Sequence, residues 1–586
     1  MKTATLSSQV SLDPVAVNSS AQRGIDRFFW WVAIFFVAEI LLAVSTRMTR
    51  SWQWLALLLL VLMGLICTAL IVRARNTLQL RTTTVIIIAL LTRLPALFAA
   101  PLLDDDYFRF LWDGQQLAAG LSPYASAPSQ HFLRGDLSSA WSAVLSEINH
   151  PDVPTIYGPS LQAVFALAVA LSNADPWALK LLFIIADLAL VIVLLQAGGA
   201  RWLVLLYVVN PLVVKEISFS LHPDGLIAMA MTTAMLLLAR LRPFLAGMCF
   251  AVVICAKLPL LLLAATLDLK NAAHRRAMLF CALIAVIAYL PFLFPDPMQP
   301  FAGLRAFADL WRVNALGYLA IEGIAGTYSR TLLTGFYVVC AIVAAYCVAH
   351  KKVPTATATV SYLALILFTA PTVNPWYWLP LLPLAVIAQR QDGALLLTPW
   401  LGSFALLLGY ANGSTLADFG IATTLGEFSV FPVATVAQWL LMTAGFAYDL
   451  RRCLRNSTLY GAVRIPMPLS NALIRCRFPS VKQIPAQHVL DTATSAQPSL
   501  WIDIRSAYCP LDLAGRARSV TSLGEAQVLA AAFQQQHERG RVFISCAVGY
   551  ASSEMALQLT GAGIDNVGNI EGGRRALARL QSAKAL

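Results

Sequence analysis

The chain has 586 residues, of which 58% are hydrophobic and 12% are charged. A soluble globular protein carries about 25% charged residues, so the composition excludes that class and predicts a protein with many membrane spans. The net charge of +12 does not indicate a nucleic-acid partner. Lysine and arginine lie mostly in short loops and in the C-terminal part, as expected for anchoring to an anionic cytoplasmic leaflet.

The polar segment 1–27 has no cleavable signal pattern and is predicted to be a cytoplasmic tail. A helix needs about 20 apolar residues to cross a bilayer. Residues 28–449 contain about fourteen apolar runs near that length and are predicted to form a polytopic α-helical membrane domain. The predicted spans are Phe28–Ser45, Trp52–Val72, Thr84–Ala100, Pro159–Ser172, Trp177–Gln196, Trp202–Val214, Gly225–Ala239, Phe244–Leu267, Met278–Phe294, Thr331–Val348, Thr355–Ala370, Trp376–Ala388, Leu395–Tyr410 and Phe431–Ala447.

Positive charge orients these spans, because loops rich in lysine and arginine stay in the cytoplasm. Basic clusters follow spans two, ten and fourteen and precede span nine, and a cytoplasmic N-terminus puts all of them inside. The loop 102–155 then lies outside the inner (plasma) membrane, and residues 102–156 carry seven acids against two bases. Arg201, Arg240 and Arg242 do not fit this scheme. We therefore expect broken half-helices near residues 210–225, where irregular backbone lines a protein cavity.

The chain changes character after Asp449. Residues 450–479 are basic and are predicted to be a juxtamembrane linker. Residues 480–586 alternate strand-like runs (499–504, 541–546, 565–570) with helical ones (524–536, 552–563). This alternation predicts a small parallel α/β domain in the cytoplasm. The ten cysteines show neither a disulfide framework nor metal-ligand spacing.

The stretch LDDDYFRFLWDG, which begins at Leu103, carries the most chemical information. Asp104, Asp105 and Asp106 stand where the chain leaves a membrane span, and an aromatic and basic set follows them. Carboxylates beside aromatic rings suit a site that deprotonates a hydroxyl group and holds a sugar ring. The alternative is an acidic interfacial loop with an aromatic belt.

This stretch, with Gly120-x-Ser-Pro-Tyr124 and HPDVPTIYGPS from His150, resembles the GT-C class of membrane glycosyltransferases. It is most similar to the bacterial mannosyltransferase-like members and to their eukaryotic relative that adds the first mannose to GPI anchors. The resemblance covers roughly residues 80–390. The further matches, in the family's order, are Lys180 with Asp187, Asn210-Pro-Leu with Glu216, His222 and Asp224, Ala256-Lys257-Leu-Pro, and Asn374-Pro-Trp-Tyr377.

The resemblance implies transfer of a hexose, with mannose expected, from a polyprenyl-phosphate sugar to a lipid or glycan acceptor. It implies inversion at the anomeric carbon on the outer face of the membrane, with no cofactor. Asp105 matches the first acid of the family's motif and is expected to be the general base. Asp106 is expected to hold the acceptor or to tune the base, and Asp104 is an extra acid.

The leaving phosphate needs positive charge or hydrogen-bond donors, for which Arg109, His222 and Lys257 are candidates. His222 fits a buried helix-end histidine equally well. Lys257 lies in an apolar run and needs a partner, which is expected to be Asp187 or Glu216. The other residues expected to bind substrate are Asp104, Trp112, Asp113, Tyr124, Lys180, Glu216 and Asp224. An acidic run can also bind a divalent ion, but relatives with monophosphate lipid donors do without one, so no metal is expected.

The C-terminal domain resembles a rhodanese domain at Ile502-Asp-Ile-Arg505, at Cys546–Ser552 and at Asn566–Gly573. The resemblance implies a catalytic Cys546 at the mouth of a loop of backbone N–H groups, with a sulfur donor or acceptor as partner. Ala551 replaces the usual arginine, and residues 508–520 lack the usual Gly-His pair. A binding module with an incidental cysteine therefore stays open.

A second function is open for the whole chain. The membrane part could be a transporter or flippase that carries a sulfur-relay or redox rhodanese domain. Intramembrane charges fit a transporter as well as a transferase. The sequence shows no internal repeat, which favours the transferase.

Overall fold

The computed structural model describes most of the chain. The described ranges are 14–48, 50–74, 80–350, 353–392, 395–411, 423–425, 428–430, 432–455, 475, 478–485, 498–504, 517–520, 523–537, 540–545 and 550–571. The chain divides into two compact units, Met1–Ala349 with Pro354–Phe446, and His350–Val353 with Ala447–Leu586. Each unit is described by itself.

The first unit is built mainly of helices. In its N-terminal half the helices are α1 (Pro14–Ser45), α2 (Arg50–Ala74), α3 (Thr82–Leu91), α4 (Leu94–Leu97), α5 (Asp106–Ala118), α6 (Ser139–Ser146), α7 (Pro159–Ser172), α8 (Trp177–Gln196), α9 (Arg201–Val208), α10 (Pro211–Val213), α11 (Asp224–Ala239) and α12 (Pro243–Ala256). A π-helical turn, Val214–Phe219, follows α10.

The second half of this unit begins with a 3-10 helix, Leu258–Thr266. Its α-helices are α13 (Ala272–Tyr289), α14 (Gln299–Leu310), α15 (Leu316–Ala325), α16 (Ser329–Ala349), α17 (Thr355–Thr369), α18 (Leu381–Asp392), α19 (Thr398–Leu407) and α20 (Pro432–Arg455), the last of which continues into the second unit. Short 3-10 turns lie at Pro128–His131, Leu290–Phe292, Gly326–Tyr328, Pro375–Trp378 and Leu408–Ala411. A hairpin of β1 (Thr423–Leu425) and β2 (Phe428–Val430) precedes α20.

The first unit contains helices that are long and apolar enough to span a membrane, but fourteen spans are not confirmed. Among the described residues, four helical stretches are long and apolar enough to cross a bilayer: Leu55–Arg73, Trp177–Gln196, Ala272–Phe292 and Gly317–Ala349. The bent pair Arg201–Val208 and Pro211–Phe219, with a bend of 46°, makes a fifth if it counts as one span. Several other predicted spans coincide with apolar helices of 10–17 residues, which are shorter than a bilayer requires.

The break at residues 209–210 lies where the charge pattern predicted half-helices. Pro211 has no N–H to continue α9 and instead starts α10, where the Asn210 side chain accepts a hydrogen bond from the N–H of Leu212. The π-helical turn that follows carries Lys215 and Glu216, both fully buried. Such single turns are frequent at functional sites.

Helix α5 is amphipathic and packs against α7. Phe110 is fully buried and stacks on Phe165 with ring centroids 4.7 Å apart. Gly114 allows this close approach, because a Cβ at that position would lie 2.5 Å from the carbonyl oxygen of Phe165. The packing fixes the helix whose first turn carries the aspartate triplet.

The second unit contains a five-stranded parallel sheet. Its strands are β3 (Gln483–Ile484), β4 (Ser499–Ile504), β5 (Ala517–Val520), β6 (Arg541–Ser545) and β7 (Val567–Ile570), in the order β3-β7-β6-β4-β5. Helices α21 (Leu523–Gln536) and α22 (Tyr550–Gly561) connect strands, and a core that includes Ile502, Val542 and Ile544 is buried. The prediction of a parallel α/β domain is confirmed. A rhodanese domain stays a prediction.

Candidate active site

The aspartate triplet lies at the first turn of α5, as the sequence predicted. Asp104 Oδ1 accepts a hydrogen bond from the N–H of Asp106 at 3.0 Å and so caps this turn. Asp105 is exposed and accepts a hydrogen bond from the Asn149 side chain. The Tyr157 hydroxyl donates to Asp106 Oδ2 at 3.3 Å. The three carboxylates therefore have three different environments.

The environments of Asp104 and Asp106 shift the pKa values of their carboxyl groups in opposite directions. Burial raises the pKa of Asp106 to about 7, and the negative charge of Asp104 adds to that rise. Burial also opposes ionisation of Asp104, but the charges of His222 and Lys215 and the hydrogen bond from the N–H of Asp106 together lower the pKa of Asp104 below its usual value. Of these two carboxyl groups, Asp104 is therefore the more acidic, and Asp106 can exchange a proton near neutral pH.

His222 lies between two carboxylates and is fully buried. Its Nε2 is 3.4 Å from Asp104 Oδ2, and its Nδ1 is 2.9 Å from Glu216 Oε2. The ring stacks on Trp376, with centroids 3.6 Å apart. Lys215 donates to Glu216 at 3.3 Å. His222 is therefore surrounded by protein groups, and it does not line the polar cavity described below.

Lys257 pairs with Asp224, so the prediction of Asp187 or Glu216 as its partner is wrong. The Lys257 Nζ donates to both oxygens of Asp224 at 2.7 and 2.9 Å and lies 4.0 Å from the centroid of the Tyr377 ring. The pairing follows from helix ends, since Lys257 follows α12 and Asp224 begins α11. Asp187 is instead engaged by Arg93 and Tyr207.

Arg109 reaches the pocket from the next turn of α5. Its Nε donates to Asp113 Oδ1 at 2.9 Å, and its Nη2 donates to the carbonyl oxygen of Val153 at 2.9 Å. Asp113 is buried and also accepts hydrogen bonds from the Thr155 hydroxyl and the Gln162 amide. Arg109 is thus held rigidly at the pocket wall, whereas Asp113 supports it from behind.

Seven residues expected to bind substrate do not line the polar cavity; Glu216, His222 and Asp224 are described above, and four remain. Besides Asp113, these are Trp112, Tyr124 and Lys180. Trp112 is buried against His131, and the Tyr124 hydroxyl donates to the carbonyl oxygen of Tyr157. The Lys180 Nζ donates to the carbonyl oxygens of Ala96 and Ala99. Their polar groups make contacts within the protein, and substrate contact by these residues stays a prediction.

A polar cavity of about 260 Å³ is lined by the aspartate triplet and by the two cations Arg109 and Lys257. Its acidic and basic lining comprises Asp104, Asp105, Asp106, Arg109, His150 and Lys257. Three further side chains, Asn149, Phe307 and Trp311, line the same cavity and were not predicted from the sequence. Asn149 stands one residue before the HPDVPTIYGPS motif, which was the only signal for it. Trp311 lies beyond α14 and carried none.

Two apolar cavities adjoin this region. One, of about 270 Å³, shares Tyr157, Lys257 and Tyr377 with the polar cavity and continues along leucines of the 3-10 helix Leu258–Thr266. The other, of about 560 Å³, lies on α11, α12 and α13 and shares Leu258, Leu260 and Leu263 with the first. The polar cavity and the first apolar cavity therefore border one another at Lys257.

Asp104, Asp106 and His222 come close enough to hold a divalent ion, since one ligand atom from each lies within 4.8 Å of the others. Oxygen and imidazole ligands suit several divalent metals. Nε2 of His222 faces Asp104, which belongs to the same group of three, and Nδ1 lies 2.9 Å from Glu216 Oε2. Cys546, the predicted thiol of the C-terminal domain, lies outside the described residues.

The N-terminal part of the chain matches a known family. Residues 33–273 match the MptA_B family model, described as Alpha-(1->6)-mannopyranosyltransferase, N-terminal domain. The matched range, less than half of the chain, includes the aspartate triplet, His222 and Lys257. It supports a mannosyltransferase-like membrane protein and, at that level, a mannose-transferring glycosyltransferase. No curated protein and no solved structure matches the chain significantly.

Proposed function

We propose that this protein transfers mannose from a polyprenyl-phosphate sugar to a lipid or glycan acceptor, with inversion, on the outer face of the inner membrane. The observation that supports this best is the junction at Lys257, where a polar cavity meets an apolar one. A polyprenyl-phosphate sugar has the same division between a polar head and a hydrocarbon tail. Its tail would occupy the apolar cavity and its sugar the polar one.

Asp105 is the general base in this proposal. It is the exposed acid of the triplet, so an acceptor hydroxyl arriving from outside can reach it. Asn149 orients its carboxylate. Asp106, with a pKa of about 7, is the rival base, because a base works best when its pKa is near the working pH.

The leaving phosphate gains its positive charge from Arg109 and Lys257, which line the cavity on different elements. Lys257 shares its charge with Asp224 and lies over the Tyr377 ring, so it is held in one position. The C-terminal unit is proposed to be a cytoplasmic rhodanese-like module, and its role in sugar transfer is not part of the proposal.

The test is transfer from radiolabelled polyprenyl-phosphate mannose by the purified full-length protein in lipid nanodiscs, followed by chromatography of the products. Asp105→Asn keeps the shape of the side chain, removes its basicity and should slow transfer by about 10²–10⁴-fold. Asp136→Asn is the matched control, since Asp136 is an exposed acid of the same loop that pairs with Arg134. No transfer by the wild-type protein with any acceptor fraction would exclude the proposed function.

If Asp105→Asn keeps normal transfer and Asp106→Asn abolishes it, Asp106 is the base. If all three aspartates can be replaced without loss, the triplet is only an interfacial acidic patch. The anomeric configuration of the product, opposite to that of the donor for an inverting enzyme, provides an independent measurement.

A further inference from the structure

Two turns that are distant in the sequence are tied together behind the aspartate triplet. The N–H of Leu102 donates to the carbonyl oxygen of Phe219 at 3.3 Å, and the Ser220 hydroxyl donates to the carbonyl oxygen of Leu102 at 2.8 Å. The next residue on each side, Leu103 and Leu221, has a left-handed backbone with φ of 53° and 61°. Such conformations are costly for residues with a Cβ and persist where the surroundings enforce them.

Each of these two left-handed residues directly precedes one member of the Asp104–His222 ion pair. Leu103 precedes Asp104, and Leu221 precedes His222. The two turns thus deliver the carboxylate and the imidazole to each other, at 3.4 Å between Asp104 Oδ2 and His222 Nε2. Left-handed backbone therefore flanks the Asp104–His222 contact on both sides.

The surroundings of the ring favour its charged form. A neutral imidazole has a single N–H, whereas an imidazolium has two. Glu216 Oε2 lies 2.9 Å from Nδ1 and Asp104 Oδ2 lies 3.4 Å from Nε2, so both nitrogens are within ion-pair distance of carboxylates, although neither contact has hydrogen-bond geometry. Lys215 and the Tyr410 hydroxyl also contact Glu216, and Trp376 covers the face of the His222 ring.

Asp104 connects His222 to the first turn of α5. Its Oδ1 accepts the N–H of Asp106, while its other oxygen faces His222. The chain of contacts therefore runs from Glu216 through His222 and Asp104 to the backbone of the first turn of α5. That turn presents Asp105 and Asp106 to the cavity.

We infer that Glu216 and His222 are positioning residues that fix Asp104 as the anchor of the α5 N-terminus and so hold Asp105 and Asp106 in place. This rests on the proposed sugar transfer at the same site. It assigns His222 a role different from binding the lipid phosphate, since the ring is fully buried and both of its nitrogens face protein carboxylates.

The first test separates charge from shape at residue 222, with transfer rates normalised to folded protein. His222→Gln removes the charge but keeps polar bulk, whereas His222→Lys keeps a cation. His222→Gln should lower kcat by about tenfold to a hundredfold, the cost of a small misplacement of a catalytic group, with the KM for the donor unchanged. His222→Lys should retain more of the wild-type kcat. His131→Gln, in the same unit but outside the cavity, is the matched control.

The second test does not depend on activity. Thermal unfolding of Asp104→Asn, His222→Gln and the double variant, each full-length in the same detergent, gives a double-mutant cycle. The positioning role predicts that the double variant loses no more melting temperature than the worse single variant. If wild-type transfer is absent, the proposed function fails and this cycle alone decides the inference.

Three results would overturn the inference. A higher donor KM with unchanged kcat in His222→Gln would make His222 a phosphate ligand. Additive losses of melting temperature would show that Asp104 and His222 act separately. Loss of wild-type transfer in EDTA, with recovery in Mn²⁺ for wild type but not for His222→Gln, would make His222 a metal ligand.

Discussion

Gly303 offers the sharpest test of how the cavity is built. This residue lies in α14, and a Cβ there would be 2.4 Å from the carbonyl oxygens of both Pro154 and Thr155. Real Cβ contacts stay above 3.0 Å, so Gly303→Ala must move α14 or the loop by about 0.6 Å at least. Both neighbours are backbone atoms, which cannot rotate away. The same helix carries Phe307 and leads to Trp311, and both line the polar cavity.

The expected effect follows from this displacement. A shift of about 1 Å in a positioning element can cost about 10²-fold in rate, so Gly303→Ala should lower kcat by about tenfold to a hundredfold. Overpacking of this kind also typically costs about 1–3 kcal/mol of unfolding free energy. Transfer from labelled polyprenyl-phosphate mannose and thermal unfolding of the same preparations measure the two effects.

Gly323→Ala is the matched control for this prediction. Gly323 lies in the neighbouring α15, and a Cβ there would meet nothing within 4 Å. It should leave both the rate and the melting temperature near the wild-type values. Wild-type transfer by Gly303→Ala, or equal losses in both variants, would refute the reasoning that α14 sets the shape of the cavity.

Three further predictions concern protonation, ion pairing and topology. Because Asp106 has a pKa of about 7, a reaction that its carboxylate assists should slow as the pH falls below about 7, and the slower residual reaction of Asp106→Asn should lack this acid limb of the pH–rate profile. Asp224→Asn leaves Lys257 without its partner and should cost about 3 kcal/mol in unfolding free energy, whereas adding Lys257→Met should restore part of it; unchanged melting temperatures would contradict this. A reporter fused after Asp449 should be active only in the cytoplasm, and activity outside the cell would reverse the predicted orientation.

Local sequence patterns predicted the helices and strands of this protein better than the contacts between distant segments. The run SLWIDI is a strand at Ser499–Ile504, as expected, and the predicted helix 524–536 matches α21 within one residue. Periodicity and strand-forming residues act within a short segment, so one sequence suffices to read them. The broken helix near Pro211 was also predictable, because proline and misplaced arginines carry local information.

Pairings between distant segments could not be read in this way. Lys257 was expected to meet Asp187 or Glu216, and it meets Asp224. Nothing near Lys257 in the sequence tells which helix end lies opposite. Trp311 illustrates the same limit, since its position in the cavity depends on how α14 packs over the loop at Pro154.

The order of the site residues along the chain bears on biosynthesis. The aspartate triplet leaves the ribosome long before Glu216, His222 and Lys257, which supply its contacts and counter-charge. Chains fold from the N-terminus during synthesis, so under the topology proposed above the acidic turn would stay hydrated and uncompensated on the outer side of the membrane until α11 and α12 have folded. A nascent chain therefore has no competent catalytic centre, and a truncation before Lys257 should yield an inserted but inactive protein.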